Sequence, residues 1–178
     1  KWGSSPNRSY VLNTSSTTKL RFVVSSTGSN EVKAWSSSNV LVANVWQHIG
    51  AVYNQASGYL RLYLNGSQTG SDTSHSEGVH DGDRDFLIGR HRTDESQDHF
   101  DGQMCLAGVW NRALSDTEIS ALYHSGDPLW YDEMDTIDPA LKSNLVSWWN
   151  LADNTDNHAS NDLANHNGVS TGSWTWAT

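Results

Sequence analysis

Three groups of side chains in this sequence have types and spacings that could do chemistry. The first is Glu133-x-Asp135-x-x-Asp138, within "DEMDTID". On a strand, alternation would put Glu133 and Asp135 on one face. Hydrolysis of a glycosidic bond with retention needs two carboxyl groups about 5–5.5 Å apart, one as nucleophile and one as acid and base. The details oppose that chemistry. The run closes on Asp138 rather than a glutamate, Pro139 follows at once, and no tryptophan-rich strand flanks it. The segment reads as a linker with solvated acids. No Ser–His–Asp order, metal-ligand histidine spacing or phosphate loop is present. No catalytic residue is assigned, and the chain reads as a non-enzyme.

The second group is acidic. Asp72, Glu77, Asp81, Asp83, Asp85, Asp94, Glu95, Asp98 and Asp101 are opposed between Asp72 and Asp101 only by Arg84, Arg90 and Arg92. Clustered carboxylates are either a solvated rim or a hold for a hard cation such as Ca²⁺. The third group is aromatic. Of nine tryptophans, Trp46, Trp110 and Trp148 fall in apolar runs and read as core, while Trp2, Trp35, Trp130, Trp174 and Trp176 lie in polar surroundings. An exposed indole can stack on the apolar C–H face of a sugar, or it can seal the end of a sandwich. Trp35, with His91, Arg92 and His99, forms the candidate ligand-binding set.

These residues need a scaffold. Apolar residues make up 36% of the chain and charged residues 17%, and many short apolar runs are separated by turn formers, which argues for an all-β protein. A net charge of −9 excludes a nucleic-acid footprint. No apolar run reaches membrane-spanning length, so no membrane insertion is expected. The one cysteine, Cys105, excludes an internal disulfide and reads as a buried, inert thiol.

Strands are expected at 9–12, 20–25, 31–35, 45–54, 59–66, 67–71, 86–90 and 102–110. In "YLRLYLNG", Leu60, Leu62 and Leu64 share one face, and Asn65-Gly66 has the chemistry of a type I′ hairpin turn. One short helix is predicted near 116–124. Ser115 is its N-cap, Glu118 completes a capping box, and Leu114 with Ile119 makes a hydrophobic staple. Gly126 is placed to stop it and Pro128 to prevent its extension.

"VWQHIGAVYNQASGYLRLYLNGSQTGS", "FLIGR" and "FDGQMCLAGVWNRALSDTEISALYHSG" together resemble the laminin-G-like, concanavalin-A-like jelly rolls. The pattern is W-x-H-x-x-x-x-Y, then L-x-L-Y-x-N-G, then F-D-G followed by an apolar strand and N-R-A-L-S-x-x-E-I. The resemblance covers about Tyr10 to Gly126 and implies an antiparallel jelly-roll β-sandwich. "LKSNLVSWWNLADN" and "HASNDLANHNGV" resemble the first strand of the same family, but they stand after its last. The division expected is therefore 1–126, a jelly roll lacking the family's first strands; 127–143, a linker or crossover; and 144–178, the first-strand segment. That last segment would pack back on its own sandwich or on a neighbouring copy. Leu145–Leu151 is expected to be a strand, beside Gln103–Trp110 if it stays within its own chain.

The resemblance implies a non-catalytic recognition or adhesion module of an extracellular, cell-surface or virion-surface protein, binding carbohydrate or another surface glycoconjugate. The alternatives are a structural repeat of a fibre, filament or virion appendage, and an accessory module of a polysaccharide-degrading enzyme. Other copies or tandem repeats of the same domain are expected partners. Relatives bind structural calcium near strand ends, which carries over to Asp101 and its approach, Asp94 and Asp98. A calcium site there predicts that millimolar Ca²⁺ raises the melting temperature by linkage, and that Asp101→Ala removes the rise. An unchanged melting curve leaves only an acidic rim.

Overall fold

The computed structural model describes residues 1–15, 18–90 and 100–151. The chain divides into two compact units, Lys1–Phe100 and Asp101–Thr178. Among the described residues, no helix is long and apolar enough to cross a membrane.

The first unit is a sandwich of two three-stranded antiparallel sheets. One holds β1 (Tyr10–Thr14), β2 (Leu20–Val24) and β3 (Val32–Trp35), and the other β4 (Ile49–Asn54), β5 (Tyr59–Leu64) and β6 (Ser67–Ser74), each in sequence order. Alternation decides what faces inward. Leu20, Phe22 and Val24 of β2 and Ala34 of β3 meet Leu60 and Leu62 of β5, all 8% exposed or less. Each such large side chain contributes about 1.5–3 kcal/mol on burial. The expected turn closes β5 and β6: Asn65 and Gly66 sit at φ 48° and 75°. The Asn65 side chain also accepts a hydrogen bond from the His48 N–H at 2.9 Å, fixing the chain as it enters β4.

β2 lies over β5 and β3 over β6, so β1 and β4 run along the same side. The β3–β6 side is closed by backbone approach. Leu60 pairs with Thr73 but Leu62 with Thr69, so β6 carries two extra residues in a bulge. Gly70 sits in that bulge at φ 79°, and a Cβ there would come within 2.1 Å of the Trp35 carbonyl oxygen.

Three sequence expectations are corrected here. Trp46 is not core: it is 54% exposed and precedes β4, which begins only at Ile49. His48 and Asn65 hold that stretch as a loop. Residues 86–90 form no continuous strand, and Phe86 is 39% exposed. The strand expected at 102–110 is confined to Ala107–Trp110, because Leu106 at φ 53° breaks the extended backbone before it.

The second unit is built on β7 (Ala107–Trp110) paired antiparallel with β8 (Leu145–Trp149), Gly108 lying opposite Trp148. The C-terminal apolar strand thus pairs within its own chain. The Trp110 and Trp148 rings meet edge to face at 6.1 Å. Both close over Gly108, where a Cβ would lie 2.6 Å from each indole. Helix α1 (Asp116–Tyr123) has the capping box read from the sequence, with the Ser115 hydroxyl accepting from the Glu118 N–H. It stops at His124, which takes the left-handed cap at φ 48°, two residues before Gly126. A second helix, α2 (Met134–Ile137), is flanked by 3-10 turns at Tyr131–Glu133 and Pro139–Lys142.

Residues 127–143 are therefore not an extended connection. Leu129, Met134 and Leu141 are 2% exposed or less and form the second core with Trp148. Arg112 draws the parts together. Its guanidinium pairs with Glu118 and donates to the carbonyls of Ser143 at 2.8 Å and Ala140 at 2.6 Å.

Two outcomes follow. Gly70→Ala is expected to cost about 2–3 kcal/mol in urea denaturation, because the methyl group meets backbone that cannot yield and the residue must keep a positive φ. A loss near zero would mean that the bulge is free to move away from β3. For Glu118, the Arg112 guanidinium is the largest influence and pulls the carboxyl from 4.5 down to about 2. A carboxylate with a depressed folded pKa contributes stability above its unfolded pKa and loses it as pH falls through the folded value. Arg112→Gln is therefore expected to lower stability at neutral pH and to flatten the acid limb between about pH 5 and pH 2. Melting temperatures across that range read the effect.

Candidate functional site

The alternation that buries Leu20, Phe22 and Val24 sends the intervening residues to the outer face of the β1–β2–β3 sheet. Register then lines them up. Asn13 pairs with Arg21, and Arg21 pairs with Trp35, so one residue from each strand forms a row across that face. The row is bonded, not merely adjacent. Arg21 Nε donates to Asn13 Oδ1 at 3.0 Å. The Arg21 guanidinium lies 5.6 Å from the centroid of the Trp35 ring. Trp35 remains 40% exposed.

The next row, Val11, Val23 and Lys33, lies on the same side of the sheet, where Val23 is 1% exposed and Lys33 is open to solvent. Lys33 pairs with Glu31 at 2.6 Å, and Arg8 reaches the same carboxylate at 3.1 Å. The Lys33 ammonium is the main reason that the Glu31 carboxyl lies below its ordinary range, with Arg8 and Arg21 adding to it. Three cations thus surround one carboxylate, leaving this patch positive on a chain of net charge −9. An indole beside a guanidinium, which in turn is bonded to a side-chain amide, offers an apolar platform with directional hydrogen-bonding groups along the same row. That combination matches a sugar ring, with its C–H face and peripheral hydroxyls.

Of the expected ligand-binding residues, Trp35 is in this row. His91, Arg92 and His99 lie outside the described residues, as do the calcium candidates Asp94 and Asp98. Asp101 is exposed. Among the described residues, no group of three or more histidine, cysteine, aspartate or glutamate side chains is placed to hold a metal ion. The sequence reading missed Asn13 and Arg21. Their signal was available in principle: both stand at polar positions in alternating strands. Only the pairing register shows that they share a row with Trp35.

Three of the four carboxylates of "DEMDTID" have structural partners. Glu133 accepts from the Trp130 N–H at 3.0 Å, and Asp138 caps the following turn through the Ala140 N–H at 2.9 Å. Asp135 pairs with Lys142, whose ammonium also lies 4.3 Å from the Tyr131 ring centroid. The segment is helical, so the strand-face arrangement of Glu133 and Asp135 does not form. Cys105 is a free, half-buried thiol, which burial pushes up from its ordinary pKa.

A search of the curated proteins finds no match. A solved structure that the chain resembles is the 2.1 Å crystal structure of an S-layer domain-containing protein (residues 221–444) from Clostridium thermocellum ATCC 27405. It shares 24% identity over 68% of this chain, with a TM-score of 0.39, and the chain spans 59% of that structure's length. A family model described as the concanavalin A-like lectin/glucanases superfamily, of laminin G type, matches residues 2–120. That match takes in both sheets of the first unit, β7 and the capping box of α1, and the chain belongs to this laminin-G-type family of the concanavalin A-like lectins and glucanases.

Proposed function

We propose that the first unit is a non-catalytic recognition module that binds carbohydrate at the surface of a cell or particle. The observation that carries this reading is the in-register row Asn13–Arg21–Trp35 on the outer face of the β1–β2–β3 sheet. Its parts have separate roles. The exposed indole of Trp35 takes the apolar face of a sugar ring. Arg21 donates to ring or hydroxyl oxygens, and the Asn13 amide both donates and accepts. The sheet holds all three side chains, so little ordering entropy is lost on binding. Family membership supports the ligand class, because the superfamily includes lectins. An extracellular location is the setting in which such a module meets its ligand.

The acids most suggestive of glycosidic hydrolysis are engaged in turn caps and an ion pair, which supports a binding role over a hydrolytic one. Calcium at Asp94, Asp98 and Asp101 remains part of the proposal, as a structural ion.

The test is binding of the full chain to an oligosaccharide array that includes neutral and acidic sugars. Wild type is expected to bind a defined subset, and Trp35→Ala to lose that binding with its circular dichroism spectrum unchanged. Binding that survives Trp35→Ala, or an array with no wild-type signal, overturns the assignment. Loss in a His91→Ala/Arg92→Ala/His99→Ala variant but not in Trp35→Ala would move the site to those three residues.

A further inference from the structure

Charge is spread unevenly along this chain. Residues 1–60 hold five of the eleven lysines and arginines but one of the twenty aspartates and glutamates, Glu31. They therefore carry +4, and the remainder carries −13. The β1–β2–β3 sheet lies inside that basic stretch. Most of the protein repels an anion, and this part attracts one.

The cations of the basic stretch are not equivalent. Arg8 and Lys33 both pair with Glu31, at 3.1 Å and 2.6 Å, and Lys1 pairs with Asp81 at 2.7 Å. Arg21 has neutral partners. Its Nε donates to the Asn13 amide oxygen at 3.0 Å, and its guanidinium lies 5.6 Å from the centre of the Trp35 ring. Among the described residues no carboxylate pairs with Arg21, and its two terminal nitrogens make no hydrogen bond. Asparagine at position 13 matters for this. An aspartate there would orient the guanidinium equally well but would cancel its charge. The amide orients the group and leaves the charge for a ligand.

Resting on the carbohydrate reading proposed for this face, we infer that the sugar is a hexuronic acid, whose ring covers the exposed surface of Trp35 and whose carboxylate is taken by the terminal fork of Arg21. A guanidinium held at Nε keeps its remaining N–H groups in a fixed plane, and that planar fork matches the two coplanar oxygens of a carboxylate. Guanidinium and indole are close enough for one sugar ring to touch both. Glu31 does not oppose the ligand, because Lys33 and Arg8 already neutralise it. A neutral sugar would use Trp35 and leave the Arg21 charge unmatched.

Isothermal titration calorimetry on the full chain tests this. The probes are oligomers of glucuronic, galacturonic and mannuronic acid, each beside its carboxyl-reduced neutral counterpart and a 6-sulfated form of that counterpart. Wild type is expected to prefer at least one uronate over its neutral counterpart by about tenfold or more, as charge-assisted hydrogen bonds imply. That preference is expected to shrink as salt rises. Arg21→Gln is expected to bring the ratio near one with wild-type circular dichroism. Arg21→Lys keeps the charge, loses the fork and is expected to lower the ratio several-fold. If Arg21→Gln loses its spectrum, Arg21→Lys is read in its place, and an unchanged ratio there overturns the inference. So does a uronate preference that persists in a folded Arg21→Gln variant, or a stronger preference for the sulfated form. Equal wild-type binding of neutral sugars and uronates, abolished by Trp35→Ala, overturns the uronate and leaves the carbohydrate reading standing. Absence of wild-type binding to any sugar overturns both.

Discussion

The first unit depends on one packing constraint, the interlock of alternate residues from β2 and β5. Leu20, Phe22 and Val24 must meet Leu60 and Leu62, and a strand's period of two leaves no freedom once they do. A slip of one residue in β2 would bury Arg21 and expose three core side chains. The same constraint therefore protects the core and fixes Arg21 outside, in register with Asn13 and Trp35. The candidate binding row is a by-product of burying the other face.

The two sides of that sandwich are treated unequally. On the β3–β6 side, the bulge at Gly70 brings main chain against main chain, and Ser37 donates its N–H to Thr69 Oγ1 at 3.3 Å. On the β1–β4 side, Leu12 is 36% exposed and Ile49 42%. A sheet of three strands cannot seal both of its edges by itself. Charge follows the same asymmetry: the outer face of the first sheet gathers Arg8, Arg21 and Lys33 around Glu31, while the β4 edge is neutral. One surface thus suits directional polar recognition and the other suits apolar contact.

The second unit solves a different problem. A two-stranded ribbon is marginal alone, and β7–β8 is completed by short helical turns that supply Leu129, Met134 and Leu141. Arg112 anchors those turns, joining the carboxylate that caps α1 to the carbonyls of Ala140 and Ser143. The residue that reads as part of a family motif has a plain physical task. It neutralises Glu118 and satisfies carbonyls at the end of a helical turn that would otherwise face solvent or nothing.

Much of this was legible in the sequence because it is local. The capping box Ser115–Glu118, the Asn65-Gly66 turn and the alternation of Leu60, Leu62 and Leu64 are set by residues a few positions apart, and each forms as read. The strand character of Leu145–Trp149 was equally plain from its apolar content. Trp46 was misread because an apolar residue beside a strand looks the same whether the chain is already paired or still a loop. The helical turns at 131–142 were missed because Glu133, Asp135 and Asp138 look like solvated charge until they meet their N–H and ammonium partners. What the sequence determined was which faces are apolar and where the chain turns. What only the tertiary structure decided was register and side: that Asn13, Arg21 and Trp35 share one row, and that β4 is an edge among the described residues. Those facts depend on pairings between distant segments, which no local pattern encodes.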